Sequence, residues 1–221
     1  MCEVVLYTSR HDATFATLGV PGARKVVDLW ADRTAALRHI PGVEFVLVFE
    51  NRGREVGATI DHPHGQVYAY DHVPSRPRRR LEAEWRPDGD PGDRLVMDLG
   101  GWTASTQGVP VHPVSISVAP KHRLDDLPSA GDADRTELAA LLVDLMGRLD
   151  RLHSRPLPYM MWLYQTPSPW PGPAPWFNIE IVSPWRAAGV PRHIAAAELA
   201  CEEYFNPVDP VDIAARLRAL A

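Results

Sequence analysis

The chain has 221 residues, of which 45% are hydrophobic and 23% charged, as is typical of a globular protein that can bury a substantial core. Its formal net charge of −5 and sequence pI near 6.0 argue against a general nucleic-acid-binding protein, whose surface is normally basic. The sequence has no apolar run of about 18 residues and no secretory signal at its N-terminus, so we expect a cytoplasmic protein with no membrane partner.

The first part of the chain alternates strand and helix signals. Residues 2–7 predict a short strand, and apolar side chains at helical spacing predict a helix over residues 22–39. Residues 43–50 are β-branched and aromatic and predict a central strand. A further strand is expected at 66–70, so that residues 62–65 form a hairpin-like loop where the chain rejoins the sheet.

The second part repeats this alternation. A hairpin around Gly100 and Gly101 precedes a strand at 114–119, and a long amphipathic helix is predicted over 132–153, with Asp132 or Asp134 as its N-cap. The remaining predicted elements are strands at 159–164 and 177–182 and helices at 192–203 and 210–220, the last capped by Asp209. The repeat favours an α+β fold with a duplicated unit, divided into residues 1–90 and 91–221.

One basic segment, Arg76-Pro-Arg-Arg-Arg80, stands out in this acidic chain. Glu82 and Glu84 follow it directly and restore the local charge balance. We interpret the segment as the solvated start of a helix, with a phosphate or partner contact as the alternative.

The segment His62-Pro-His-Gly-Gln66 carries the clearest chemical signal. Two histidines separated by one residue in an extended segment point to the same side, and Pro63 stiffens the backbone between them. Gly65 allows close approach of a bulky anion, and the Gln66 amide can donate to a phosphoryl oxygen. A neutral imidazole is a competent nucleophile toward phosphorus. By spacing alone, a metal-binding pair or a polar loop is the commoner meaning of two such histidines.

The wider string favours the nucleophile. Phe49-Glu-Asn-Arg-Gly53 followed by His62-Pro-His-Gly-Gln66 resembles the active-site signature of galactose-1-phosphate uridylyltransferases, a branch of the histidine-triad superfamily. Further similar segments are CEVVLYTSRHD, VVDLW, PYMMWLYQTP and HIAAAELACEEYFNPVDPVDIAARLRAL. The resemblance implies a histidine-triad-like antiparallel half-barrel sheet with helices packed outside, and a homodimer.

The resemblance also implies a reaction and a set of site residues. UMP would pass from UDP-glucose to a histidine and then to galactose 1-phosphate, in a ping-pong mechanism. The implied residues are His64 as nucleophile, Gln66 on the phosphoryl oxygens, Asn51 and Thr59 beside the substrate phosphates, His11 and His62 as zinc ligands, and Arg192 and Glu198 near a hexose-phosphate site completed by the neighbouring subunit.

The sequence departs from the family pattern at its metal sites. Relatives carry an N-terminal Cys-x-x-Cys that completes the zinc site, and this chain begins after that position. His11 and His62 would then hold zinc weakly unless Asp12, Asp61 or Cys2 substitutes. Some members have a second metal whose positions here hold Arg80, Tyr164, Asn178 and Glu180, so we expect that metal to be absent.

A third departure concerns the sugar phosphate. Ala196 and Ala197 stand where many relatives have a glycine and an aromatic residue, so the identity of the acceptor is less firmly implied than the phosphorus chemistry. Two alternatives stay open. A hydrolase or phosphorylase of the same superfamily would pass the nucleotidyl group to water or phosphate, and an inactive truncated chain would serve only for binding or dimerisation.

Overall fold

The computed structural model describes residues 1–173 and 175–221. Within them the strands are β1 (Cys2–Leu6), β2 (Phe45–Arg52), β3 (His64–Tyr70), β4 (Leu95–Leu99), β5 (Trp102–Thr106), β6 (Val114–Pro120), β7 (Tyr159–Tyr164), β8 (Asn178–Ser183), β9 (Trp185–Ala187) and β10 (Val190–Pro191). The helices of this part of the chain are α1 (Gly19–Arg38), α2 (Ser75–Glu82), α3 (Asp132–Arg151), α4 (Ala196–Cys201) and α5 (Pro210–Arg218).

In the described residues, one large sheet of eight strands dominates the fold, in the order β1-β3-β2-β7-β8-β6-β5-β4. Every neighbouring pair in this sheet is antiparallel, and β9 pairs with β10 separately. The sheet with its helices confirms the predicted α+β class. No helix in the described part of the chain combines the length and apolar composition that crossing a membrane requires.

The strand order contains an internal symmetry. The unit β1-α1-β2-β3 contributes its strands in the order β1-β3-β2, and the unit β6-α3-β7-β8 contributes them in the mirror order β7-β8-β6. The two units meet at a seam between β2 and β7, where Phe49 pairs with Trp162 and Arg52 with Tyr159. This arrangement supports the duplicated unit, whereas a division of the chain at residue 90 stays a prediction.

The two 20-residue helices cover one face of the sheet and pack against each other. Trp30 and Leu37 of α1 and Leu141 and Leu145 of α3 are at most 1% exposed. Large-to-small substitution at such fully packed positions costs about 2–5 kcal/mol, so this face is the main source of stability. The opposite face carries the more polar side chains of the sheet strands.

Local boundaries differ from the sequence prediction where capping decides them. Gly131, not Asp132 or Asp134, is the N-cap of α3, because the Asp134 carboxylate accepts a hydrogen bond from the Gly131 N–H at 3.2 Å. The predicted Asp209 cap of α5 is confirmed, with its carboxylate accepting from the Val211 N–H at 2.8 Å. The helix predicted over 192–203 is shorter and spans only Ala196–Cys201.

Candidate active site

His64 is the first residue of β3, so the strand begins two residues earlier than the sequence predicted. Gly65 and Val67 point toward the helix-covered core, and His64 and Gln66 lie on the opposite, open face. The register that pairs Phe49 with Gln66 places Asn51 of β2 beside His64. Strand alternation and pairing therefore bring an imidazole and two amides to one face.

The hydrogen bonding of His64 selects its tautomer. His64 Nδ1 lies 2.7 Å from the carbonyl oxygen of His62, and a carbonyl can only accept, so Nδ1 carries the proton. In the neutral ring the second nitrogen, Nε2, then has a free lone pair. That is the form a nucleophile needs.

Gln66 is oriented in a similar way. The Tyr68 hydroxyl donates to Gln66 Oε1 at 3.2 Å, and in this orientation the amide NH₂ group is left for another acceptor. Gln66 lies two residues after His64 on the same face of the strand. The strand therefore presents an amide donor next to an imidazole nucleophile. A phosphoryl group between them would receive charge stabilisation as its oxygens become more negative.

A cleft opens beside His64. Asn51 lines this cleft, whereas Thr59 is exposed and its neighbours Ala58 and Ile60 form the wall. The contacts of Asn51 and Thr59 with substrate stay predictions.

Gly65 is required for a reason that the sequence did not suggest. A Cβ at this position would lie 2.2 Å from the Tyr7 hydroxyl, on the core side of the strand. A glycine is needed here for packing behind the strand, whatever approaches from the open face. Contact of Gly65 with a bound anion stays a prediction.

His11 and His62 come together as the zinc hypothesis requires. Their Nδ1 atoms are 3.0 Å apart and their ring centroids 5.2 Å. His62 Nε2 lies 2.8 Å from the Thr8 carbonyl oxygen and so carries the proton, which leaves the His62 Nδ1 lone pair directed at His11. The two Nδ1 atoms thus face each other in direct contact.

The expected substitutes do not complete a tetrahedral site. Asp12 and Asp61 line the same cleft but interact with Arg10 and Arg54 at 3.9 and 3.7 Å, respectively. Cys2 is paired with Tyr68, at the far end of β1 from the histidines. No three His, Cys, Asp or Glu side chains within residues 1–173 and 175–221 are arranged to hold a metal. The residues present therefore supply two of four ligands.

Arg80 occupies the place that the resemblance associates with a second metal. Its guanidinium donates to Glu180 Oε1 and Asn178 Oδ1, both at 2.9 Å, and lies 4.0 Å from the Trp85 ring centre and 4.3 Å from that of Tyr164. The interpretation of this residue as solvated is therefore wrong, although α2 does begin at the basic segment. A fixed positive charge here supports the prediction that a second metal is absent.

Arg192 and Glu198 form a buried ion pair with each other, away from the residues lining the His64 cleft. Glu198 also accepts from the backbone N–H groups of Ala195 and Phe205 at 3.0 and 2.9 Å. Within this chain the pair holds the loop after α4 in place. Its predicted role in sugar-phosphate binding stays a prediction.

A buried carboxyl that borders the cleft, Glu50, was missed from the sequence. Glu50 is 4% exposed and accepts a hydrogen bond from the Tyr159 hydroxyl at 2.6 Å. Burial raises the pKa of Glu50 to about 7, against the opposing influence of the Tyr159 and Tyr7 phenols and of Arg52. The available signal was an acidic residue inside the apolar strand Phe-Val-Leu-Val-Phe-Glu.

Two curated relatives show how far the similarity extends. A galactose-1-phosphate uridylyltransferase of Streptomyces lividans is 39% identical over 184 residues, covering 75% of this chain but only 52% of that protein. The protein of the same name from Thermotoga maritima is 29% identical over 233 residues, covering 99% of this chain and 73% of the relative. The chain thus spans about half the length of the first relative and about three quarters of the second.

The fold leads to the same group. A solved uridylyltransferase structure is similar to this chain, with a TM-score of 0.91 and 26% sequence identity. The superposition covers 99% of this chain and 74% of the solved one. The antiparallel sheet and its paired helices are thus the fold of a uridylyltransferase structure. The family model for the N-terminal domain of galactose-1-phosphate uridyl transferase matches residues 1–74. The chain is thus similar to galactose-1-phosphate uridylyltransferases in sequence and in fold.

Proposed function

We propose that this chain transfers UMP from a UDP-hexose to a hexose 1-phosphate through a covalent intermediate on His64. The observation that carries the proposal is the bond from His64 Nδ1–H to the His62 carbonyl, which in the neutral ring leaves the Nε2 lone pair free on the same strand face as the Gln66 amide. Similarity to galactose-1-phosphate uridylyltransferases supports UDP-glucose and galactose 1-phosphate as the substrate pair.

The two half-reactions balance without an added reagent. In the first, the Nε2 lone pair of His64 forms a bond to the α-phosphorus of UDP-glucose, the bond to the bridging oxygen breaks, and glucose 1-phosphate leaves. In the second, a phosphate oxygen of galactose 1-phosphate attacks the same phosphorus and the P–N bond breaks, which restores the imidazole. Gln66 donates to the phosphoryl oxygens in both steps.

The proposal includes features that rest on family resemblance. They are a cytoplasmic homodimer, a hexose-phosphate site near Arg192 and Glu198 that the second subunit completes, and a zinc ion for which His11 and His62 supply two ligands. No step of the proposed chemistry passes through the metal.

Covalent labelling tests the proposal. UDP-glucose labelled in the uracil ring should leave an acid-labile, alkali-stable label on the protein, and His64→Gly should abolish it. His72→Gly is the matched control, because His72 is an exposed histidine after the same strand and bonds to Asp71 at 2.8 Å. A label that persists in His64→Gly would assign the nucleophile to another residue.

The acceptor is tested by the fate of the label. Galactose 1-phosphate should discharge it as UDP-galactose. Release of UMP without an acceptor would favour a hydrolase, and release that requires inorganic phosphate would favour a phosphorylase. A wild-type protein that never becomes labelled would favour the binding or dimerisation module.

A further inference from the structure

The residues just after β1 contact the nucleophile segment on both sides of His64. The backbone N–H of Tyr7 donates to the Pro63 carbonyl at 3.2 Å, and the Tyr7 hydroxyl packs against Gly65 so closely that a Cβ there would lie 2.2 Å away. The residue before His64 and the residue after it therefore both contact Tyr7.

Tyr7 is itself held from several directions. Its ring packs against the core and makes edge contacts with Phe15 and Trp30, each with centroids 5.9 Å apart. Its hydroxyl is buried close to the Glu50 carboxyl but makes no hydrogen bond within the described residues. Glu50 is fixed in turn by the Tyr159 hydroxyl at 2.6 Å. The hydroxyl thus stands between Gly65 and a polar cluster shared by β2 and β7.

We propose that Tyr7 is a positioning residue for His64, with its hydroxyl, backed by Glu50 and Tyr159, setting the place of Gly65 and hence of the imidazole on the open face. The placement of His64 by Tyr7 is argued from these contacts alone. The expected effect of Tyr7 on the rate rests on the proposed function. Tyr7 lies on the core side of β3 and touches no substrate.

This proposal competes with another explanation of Gly65, in which glycine is needed so that a phosphate can approach from the open face. The two explanations differ in a double substitution. If Tyr7 is the reason, Gly65→Ala should displace His64, and adding Tyr7→Phe should relieve the clash, because the atom 2.2 Å away is removed and the next nearest is 3.0 Å away. If phosphate approach is the reason, Tyr7→Phe should give no relief.

The experiment compares Gly65→Ala, Tyr7→Phe and the double variant, with Tyr70→Phe as a matched control on the open face of β3. The first readout needs no substrate. In ¹⁵N-histidine-labelled protein, the Nδ1 proton of His64 reports its bond to the His62 carbonyl. We expect it to be lost in Gly65→Ala, retained in Tyr70→Phe and regained in the double variant.

The second readout is the rate of uridylyl labelling. A displacement of about 1 Å costs on the order of 100-fold, so we expect Gly65→Ala to be slowed by about that factor and the double variant to recover about 10-fold. Tyr7→Phe alone should lower kcat about 3- to 10-fold with KM within about twofold, since it misplaces the nucleophile without removing a substrate contact. If Tyr7 served only to pack the core, the folded Tyr7→Phe variant would keep the wild-type kcat/KM.

Each outcome is decisive. A double variant no better than Gly65→Ala, in both readouts, would overturn the proposal. If Gly65→Ala does not fold, a double variant that folds supports the clash. If neither folds, Tyr7→Phe decides alone, and an unchanged His64 proton with unchanged kcat overturns the role. A wild-type protein without labelling would contradict the proposed function, while the NMR readout would still test Tyr7.

Discussion

Replacing Glu50 with glutamine should remove a pH-dependent loss of stability. Burial raises the pKa of this carboxyl from its usual 4.5 to about 7, so between those values the folded chain binds a proton that the unfolded chain releases. Stability from this group is fully present below pH 4.5 and is lost as pH rises through 7. At 1.36 kcal/mol per pKa unit, the loss is about 3 kcal/mol.

Urea unfolding of wild type and Glu50→Gln at pH 4.5 and pH 8 measures this difference. Glutamine keeps the shape and an acceptor oxygen for Tyr159 but cannot ionise, so the variant should gain about 3 kcal/mol on wild type between the two pH values. Glu203→Gln, at an exposed site, should gain nothing. A constant difference between Glu50→Gln and wild type across this range would refute the reasoning, and a gain toward low pH would reverse the sign of the burial effect.

Three other contacts of the site region also give testable predictions. After dialysis against a chelator, metal analysis should find well below one zinc ion per chain, because His11 and His62 are only two of the four ligands that a zinc site needs. One firmly held zinc ion per chain would show that other residues complete the site. Tyr68→Phe should slow uridylyl labelling about 5-fold, because the Gln66 amide loses the hydrogen bond that orients it. Equal labelling rates in Tyr68→Phe and Tyr70→Phe would contradict this prediction. Arg80→Met should lower the free energy of urea unfolding by about 3 kcal/mol, because the buried Glu180 charge loses the Arg80 guanidinium, and adding Glu180→Gln should restore much of this loss. A loss under about 1 kcal/mol would mean that Arg76 alone is enough to pair with Glu180.

Much of the fold was predictable because its signals are local. The alternation of β3, the apolar stripe of α3 and the Gly100 hairpin are each visible within about 20 residues of sequence, and the structure confirms all three elements. The seam between β2 and β7 was not predictable, since strand neighbours so far apart in the chain leave no periodic trace.

In the site, too, the features formed by neighbouring residues were predictable, and those formed by distant residues were not. The His62–Gln66 segment is contiguous, so its shared face followed from strand geometry. Arg80 was misread because its partners, Glu180 and Asn178, lie about 100 residues away, and a sequence shows the charge but not the carboxylate that will bury it. The packing contact of Gly65 with Tyr7 was missed for the same reason, because Tyr7 is distant in sequence.

The β2–β7 seam has a consequence for biosynthesis. About 110 residues separate Phe49 from its partner Trp162, so at roughly 5–20 residues per second a ribosome needs about 5–20 s to deliver β7 after β2. During that interval the apolar strand Phe-Val-Leu-Val-Phe has an unpaired edge, a recognised starting point for aggregation. We therefore expect the nascent first half to depend on chaperones until the second half emerges.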